Sequence, residues 1–356
     1  MLKGFVSRIA LLASWLGVFA APAHAADFGA FNQTYSREVV VPAFKKVALE
    51  AAKLALAVDD FAKAPSQDGF AALRVSFDSV SDAWMQTEFF RTGPLEQEQR
   101  SERFLYWPER RNIVDKQLAG FLGAPDSQAL QPAQFAHATV AVQGLPALER
   151  LLYGDNARQI LSAGPEQKAR IAVMQAIAHN LEILAREIAV AWEKAGEQPS
   201  AFSHDPTEAA TQAYGDVLTE IQVIADRKVA AVRGKEIDKA RPYNAEQYRS
   251  GRSLRNIRIN LDALKMAVLG PHGFATLLPP EQAALKDEVA KAFDATIAAT
   301  AAVAEPLDVA VTDPEKRKSV DTLLNAANAL RDLMTQKVPP AIGLTVGFNS
   351  MDGDGQ

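Results

Sequence analysis

The feature that most constrains the fold is a helical repeat of apolar residues along nearly the whole chain after residue 30. Apolar side chains recur at intervals of three and four residues, which places them on one face of an α-helix. The repeat is clearest over residues 70–84, 181–188 and 254–268. Further helices are predicted over residues 31–63, 133–153, 207–232, 281–304 and 316–337. Alternating strand patterns are scarce, and the best one covers only residues 344–348. The sequence therefore predicts an all-α protein.

The segment 198–206 is the natural boundary within this pattern, because it is rich in turn-forming residues and lacks the helical repeat. With 356 residues, the chain is long enough for two units of about 150–180 residues each. Each side of the boundary has about four long predicted helices, and one helix on each side stops at a Gly-Pro pair. The similarity indicates either a duplicated four-helix unit or two ordinary helix ends. We predict an N-terminal helical bundle over 26–198, a C-terminal helical bundle over 199–345 and a flexible tail over 346–356.

The first 25 residues have the pattern of a secretory signal peptide. Lys3 and Arg8 precede an apolar run over residues 9–20, and Ala23-His24-Ala25 then provides a cleavage site of small residues. The alternative is an uncleaved membrane anchor, but a membrane span needs about 20 apolar residues. We therefore predict that residues 1–25 are removed during export.

Composition narrows the possible chemistry and location. The chain contains no cysteine, so thiolate catalysis, disulfides, cysteine-ligated metals and a lipid-modified cysteine are all excluded. The formal net charge of -5 argues against a nucleic-acid partner, which would favour a basic surplus. Export without cysteine predicts the periplasm of a bacterium, with no membrane span after the signal peptide is cleaved.

The stretch 144–154 carries the most informative polar residue, Glu149. On a helical wheel Glu149 borders the face formed by Leu145, Leu148 and Leu152. Burying a carboxylate on such a face costs free energy unless a cation, a metal or a hydrogen-bond donor contacts it. One interpretation is that Pro146 kinks a long helix and opens a polar pocket beside an inward carboxylate. The other is that a helix begins at Pro146, with Glu149 in its first turn, where the helix dipole favours anions.

Three segments resemble the imelysin-like proteins. Gly-Leu-Pro-Ala-Leu-Glu at 144–149, followed by Leu-Leu-Tyr, resembles the signature of that family. Phe-Leu-Tyr-Trp-Pro at 104–108 is similar to its aromatic segment, and 249–257 is similar to its Arg-Ser motif. The resemblance extends over roughly residues 35 to 340. It implies an exported, all-α protein built from two four-helix bundles packed together with a cleft between them.

The resemblance also implies a metal site, but one expected ligand is missing. The family motif is Gly-x-His-x-x-Glu, which is associated with metal binding and with metallopeptidase activity, and this chain has Pro146 in place of the histidine. Glu149 alone does not make a metal site, since zinc usually takes three protein ligands. The residues therefore do not support the peptidase assignment. The family is also associated with iron uptake, which implies a binding role with a divalent metal or iron as the candidate cofactor.

Together these segments define a set of candidate ligand-binding residues: Gly144, Pro146, Glu149, Trp107, Arg249, Arg252 and Ser253, with Glu149 as the candidate metal ligand. If the helix that starts near Arg252 lies between the two bundles, one of its arginines could pair with Glu149. If that helix is peripheral, Arg252 and Arg255 are solvated surface charges.

We predict an exported binding or accessory protein linked to iron acquisition, with a ligand cleft near Glu149. The alternatives are a metallopeptidase and a non-catalytic interaction protein of the cell envelope. The corresponding partners are a small ligand, a metal or an envelope protein.

Overall fold

A computed structural model describes residues 26–123, 127–196, 205–304 and 306–346. These residues form helices and loops with no strand, which confirms the all-α prediction. The α-helices, in chain order, are α1 (Phe28–Tyr35), α2 (Val41–Lys63), α3 (Gln67–Met85), α4 (Arg100–Phe104), α5 (Ile113–Gly123), α6 (Pro132–Phe135), α7 (Val140–Gln143), α8 (Leu145–Tyr153), α9 (Pro165–Gly196), α10 (Pro206–Gln222), α11 (Ala231–Arg233), α12 (Ser253–Leu269), α13 (Ala283–Ala301), α14 (Leu307–Ala310), α15 (Arg317–Gln336) and α16 (Val338–Ala341). Two π-helical segments, Ser36–Val40 and Val223–Ala230, join α1 to α2 and α10 to α11.

Helices α2, α3 and α9 form the packed centre of the N-terminal part of the chain, residues 26–196. Their apolar faces meet in the core, where Phe44 of α2 stacks on Trp192 of α9 with ring centroids 5.7 Å apart. Burying such apolar surface contributes about 25 cal/mol per Å² to stability. Helix α3 begins after Ser66, whose hydroxyl accepts a hydrogen bond from the Gly69 backbone amide. The helical repeat thus correctly identified the inward faces.

Helices α10, α12, α13 and α15 pack together in the C-terminal part, residues 205–346. Helix α10 begins at an N-cap aspartate, Asp205, whose side chain accepts hydrogen bonds from the amides of Thr207 and Glu208. Tyr214 of α10 is fully buried and donates a hydrogen bond to the Met334 carbonyl of α15 at 2.7 Å. The buried hydroxyl therefore ties these two helices together.

Several predictions fall on residues outside the described ranges. The signal peptide over 1–25, most of the boundary segment 198–206 and nearly all of the tail over 346–356 belong to this group. The division into two bundles stays a prediction for that reason. Residues 344–346 of the predicted strand are described and do not form a strand. None of the helices in the described ranges has the length and apolar character that a membrane crossing requires.

Polar contacts join the N-terminal part to the C-terminal part. Asp216 of α10 is 5% exposed, and its Oδ2 accepts hydrogen bonds from the Arg91 and Thr92 amides and from the Thr92 hydroxyl, at 2.9, 3.2 and 2.9 Å. Arg91 also donates to Glu220, one helical turn further along α10, at 2.5 Å. The loop after α3 is thereby attached to α10 through buried carboxylates.

The burial of Asp216 predicts a pH dependence of stability. Desolvation raises its pKa to about 6, although the bonds from Arg91 and Thr92 oppose the shift. An unfolded aspartate has a pKa of about 3.9, so the folded protein holds more protons between these values and loses stability as pH rises through them. We expect Asp216→Asn to remove this loss, on the order of 1–3 kcal/mol. In urea unfolding from pH 4 to 7, the free energy of unfolding of the variant should rise relative to that of the wild-type protein as pH increases. A difference that does not change with pH would contradict the assignment.

Candidate functional site

A cavity of about 350 Å³ lies where three chain segments meet. One wall is the loop after α4, with residues 105–109 and 111–112. The second is the first half of α8, with residues 146 and 149–150, and the third is the loop before α12, with residues 243–249. The first two segments belong to the N-terminal part and the third to the C-terminal part. The volume is at the lower end of the range that holds small-molecule ligands. We call this space the Glu149 cavity.

Four of the predicted site residues line this cavity, and three do not. Trp107, Pro146, Glu149 and Arg249 are wall residues. Gly144, Arg252 and Ser253 lie behind the wall, where they hold the elements that carry it. The structure thus brings together residues separated by more than 100 positions in the sequence.

Glu149 is an inward carboxylate at the start of a helix. The predicted helix over 133–153 is instead broken into α6, α7 and α8, and α8 starts at Leu145 with Pro146 in its first turn. A separate helix thus begins one residue before Pro146, close to the second interpretation. Glu149 is nevertheless only 3% exposed, as the first interpretation expected. The side chain faces inward because α8 is buried over residues 145–152, with no surface face for a carboxylate.

The partner of Glu149 is a serine. Its Oε1 accepts hydrogen bonds from the Ser250 amide at 2.9 Å and from the Ser250 hydroxyl at 2.6 Å. Burial raises the pKa of Glu149, while the two Ser250 bonds and the charges of Arg150 and Arg249 act in the opposite direction. The prediction that an arginine such as Arg252 pairs with Glu149 is therefore wrong. Ser250 takes the place expected for an arginine, and the chain turns directly after it at Gly251, which has a φ of +69°.

We expect Glu149→Ala to lower the free energy of unfolding by about 1–3 kcal/mol, because two donors of Ser250 lose their acceptor inside the protein. Glu149→Gln keeps an acceptor oxygen and should lower it by less than about 1 kcal/mol. Chemical denaturation of both variants measures the difference. Equal effects of alanine and glutamine would contradict the Ser250 contact.

Arg252 and Ser253 support the cavity from behind. Arg252 is 4% exposed and forms ion pairs with Asp78, at 2.9 Å, and with Asp82 of α3. Ser253 donates to the Glu246 carbonyl at 2.6 Å and so holds the loop that forms one wall. At the start of α12, Arg252 is therefore buried, whereas Arg255 is exposed and pairs with Asp82. These contacts hold the wall formed by residues 243–249, and neither Arg252 nor Ser253 lines the cavity itself.

A network of four charged residues borders the cavity: Glu109, Arg150 and Arg249 line it, and Asp115 joins the two arginines. Of the four, the sequence indicated Arg249 alone. Arg150 is 7% exposed and donates to Asp115 at 2.5 Å, to Glu109, and to the Pro146 carbonyl at 2.9 Å. Arg249 donates to the other oxygen of Asp115 at 3.0 Å and lies over the Tyr248 ring at 4.6 Å. The four charged residues lie on different helices and loops, so sequence spacing offered no signal for the network.

A second buried cluster lies behind Glu246 and Trp107, and the sequence analysis missed it. Lys228 is 1% exposed, and its ammonium donates to Glu88, Glu246 and Asn260 at 2.6, 3.1 and 2.9 Å. Burial, and then the charge of Glu88, raises the pKa of Glu246 to about 8. The only sequence signal was a lysine among apolar residues of a predicted helix. In the structure Lys228 lies on a π-helical segment, and such segments are frequent at functional sites.

Backbone strain is concentrated at the Glu149 cavity. Five non-glycine residues in the described ranges have positive φ, and three of them line the cavity: Arg111 at +58°, Asn112 at +54° and Gln247 at +47°. A positive φ is costly for Arg111 and Gln247 and less so for Asn112, and such conformations cluster at functional sites. The strain is a reason, independent of residue chemistry, to place function at this cavity.

The residues present do not fit the metal site that the family motif implies. Within the described ranges, no three histidine, cysteine, aspartate or glutamate side chains form a group that could hold a metal ion. Pro146, in the position of the motif histidine, has no donor atom in its side chain, and one oxygen of Glu149 is already bonded to Ser250. A lone carboxylate with one uncommitted oxygen falls short of the three protein ligands typical of zinc.

Comparison with known proteins agrees with the fold and with the family resemblance. The family model named Imelysin matches residues 40–334. Iron-regulated protein A of Synechococcus elongatus is 24% identical over 329 residues, covering 87% of this chain and 86% of that protein. The crystal structure of an imelysin-like protein from Psychrobacter arcticum superimposes with a TM-score of 0.77 at 21% identity, covering 91% of this chain and 99% of its own.

A second crystal structure, from Parabacteroides distasonis and assigned as an iron-regulated protein A precursor, has a TM-score of 0.66 at 16% identity and covers 89% and 97% of the two chains. These two likenesses establish the shared fold, and the family model covers most of the chain. The protein therefore belongs to the imelysin family.

Proposed function

We propose that this chain is an exported binding or accessory protein that serves iron acquisition, and that its ligand cleft is the Glu149 cavity. The observation that carries the proposal is a buried carboxylate, Glu149, set in a strained cavity whose walls come from both parts of the chain. The link to iron is supported by the similarity to iron-regulated protein A. Trp107, Pro146, Glu149 and Arg249 are the proposed contact residues, and Gly144, Arg252 and Ser253 position them.

The periplasm is the proposed location. The amino-terminal pattern of Lys3 and Arg8, an apolar run and Ala23-His24-Ala25 supports cleavage after Ala25. The name of the relative from Parabacteroides distasonis, a precursor, agrees with export of that protein. Intact-mass analysis of the protein from a periplasmic fraction should give a chain that starts at Ala26; a mass that includes residues 1–25 would contradict the proposal.

Growth under iron limitation tests the role. A strain of the parent organism that lacks this protein should grow more slowly in the presence of an iron chelator, and the wild-type protein should restore growth. Glu149→Gln should fail to restore it, although the variant folds. Glu315→Gln, which changes an exposed carboxylate, is the matched control and should restore growth fully. Normal growth of the deletion strain, or full rescue by Glu149→Gln, would overturn the proposal and favour an envelope interaction protein.

The metallopeptidase alternative makes a separate prediction about Pro146. Pro146 lines the cavity one helical turn before Glu149, so Pro146→His would add an imidazole beside the carboxylate. We expect this variant to bind Zn²⁺ at least about tenfold more tightly than the wild-type protein, because imidazole nitrogen is a preferred zinc ligand. Pro146→Ala is the control for loss of the proline. Calorimetry that gives equal affinities for the histidine and alanine variants would show that the other ligands of a metal site are also absent.

A further inference from the structure

The charged side chains around the Glu149 cavity differ in how many of their polar atoms are already hydrogen-bonded. Glu109 uses one oxygen for Arg150 and the other for the Val114 amide at 3.2 Å. Asp115 gives one oxygen to Arg150 and the other to Arg249. Two carboxylates and two guanidinium groups therefore neutralise one another. Of the three arginines in the walls, Arg150 uses all three of its nitrogens in these contacts, Arg249 donates one hydrogen bond to Asp115, and Arg111 is exposed, where water screens its charge.

Glu149 is the carboxylate that keeps an available oxygen. Both donors of Ser250 bond to Oε1, and Oε2 accepts no hydrogen bond from the described residues. Oε2 is not sealed from solvent, whereas Glu246 Oε1 is sealed and has no hydrogen-bond partner. Since Glu149 is a wall residue, Oε2 is the atom it presents to the cavity. A buried carboxylate oxygen of this kind selects a hydrogen-bond donor, and a cationic donor best of all.

The remaining walls suit the same kind of ligand. The aromatic side chains of Tyr106, Trp107, Tyr243 and Tyr248 line the cavity. Aromatic rings attract cations that carry an apolar body. The protein already uses two of these rings in this way, with the Arg249 guanidinium 4.6 Å from the Tyr248 ring and the Lys228 ammonium 5.7 Å from the Trp107 ring.

From these contacts we infer that the Glu149 cavity binds a small organic cation, a primary amine or guanidine on a short carbon chain, with its charged group at Glu149 Oε2 and its chain along the aromatic walls. This inference rests on the proposed ligand cleft and specifies its ligand. The ammonium of Lys228, held by carboxylates and an amide oxygen beside Trp107, shows within the same molecule how a primary ammonium is accommodated. A bare metal ion is disfavoured because the cavity offers one uncommitted carboxylate oxygen and no histidine.

Calorimetry with defined probes tests the inference. Cadaverine and agmatine present an ammonium and a guanidinium on short chains, pentane-1,5-diol lacks charge, and glutarate reverses it. We expect the two cations to bind and the diol and glutarate to give no heat of binding. Glu149→Gln should weaken cation binding by about tenfold or more, because a hydrogen bond between charged groups is lost. Glu315→Gln should leave the affinity unchanged.

A second variant guards against a folding artefact. Trp107→Leu keeps Glu149 and its Ser250 contacts, and it should weaken cation binding by several fold through loss of the aromatic wall. Absence of binding by both cations at millimolar concentration overturns the inference, as does binding of glutarate or Zn²⁺ in preference to them. Either result leaves the proposed function standing if Glu149→Gln still fails to restore growth. Full rescue by Glu149→Gln is the separate result that removes the cleft itself.

Discussion

Replacing Lys228 with methionine should lower the free energy of unfolding by about 3–5 kcal/mol, the typical effect of removing one partner from a buried ion pair. The lysine ammonium is surrounded by Glu88, Glu246 and Asn260, with Glu220 at 3.7 Å. Burial disfavours the charged form of Lys228, but the charges of Glu246, Glu88 and Glu220 outweigh it and raise the pKa of the lysine. Burial likewise opposes ionisation of Glu88, but the charge of Lys228 outweighs it and lowers the pKa of Glu88. Without the lysine, carboxylates are left close together without their central cation.

Urea unfolding at pH 7 measures this loss, and Lys318→Met is the matched control. Lys318 is exposed, with an ion pair to Glu315, so its replacement should change stability by less than about 1 kcal/mol. The penalty for Lys228→Met should shrink towards pH 5, because burial raises the pKa of Glu88 once its cation is gone, and the folded variant then holds a proton that the unfolded chain lacks. Adding Glu88→Gln and Glu246→Gln to Lys228→Met should recover part of the loss. A stability equal to that of Lys318→Met would refute the buried cluster.

Replacing Gly144 with alanine is the second large effect, expected to cost about 3 kcal/mol through overpacking. A Cβ at position 144 would lie 2.2 Å from the Phe104 carbonyl oxygen and 2.6 Å from the Arg103 carbonyl oxygen. Both contacts are to backbone, so no side-chain rotation relieves them, and α8 would have to move away from α4. That movement would also displace Glu149 from Ser250. We therefore expect Gly144→Ala to weaken cation binding as well as stability.

Gly215→Ala is the control for this effect, with the opposite expected sign. Gly215 lies inside α10, and a Cβ added there would meet no atom within 4 Å. Alanine at this position should stabilise the protein by roughly 0.5–1 kcal/mol through its higher helix propensity. Thermal or urea unfolding of the two variants separates the clash at position 144 from the general effect of replacing glycine with alanine. Equal stability changes at both positions would show that the approach of α8 to α4 is looser than the structure has it.

Much of the fold follows from local pattern. The apolar repeats over residues 70–84 and 254–268 correspond to α3 and α12, and the inward direction of Glu149 agrees with its place beside the leucine face. The break of the predicted helix over 133–153 was foreseeable in part, from Pro146. These features depend on residues within one or two helical turns of each other, so the order of the sequence contains them.

What surrounds Glu149 was decided by tertiary structure. Ser250 lies 101 positions away in the chain, and the arginines expected beside Glu149 pair instead with Asp78, Asp82 and Asp115. The Lys228 cluster likewise joins residues from the loop after α3, from α10, from a π-helical segment and from α12. The sequence by itself determined the helices, their inward faces and the motif segments, because helical periodicity is local. The partners of each buried charge were determined only by which segments approach in space, since a carboxylate accepts any donor that the packed helices bring within about 3 Å.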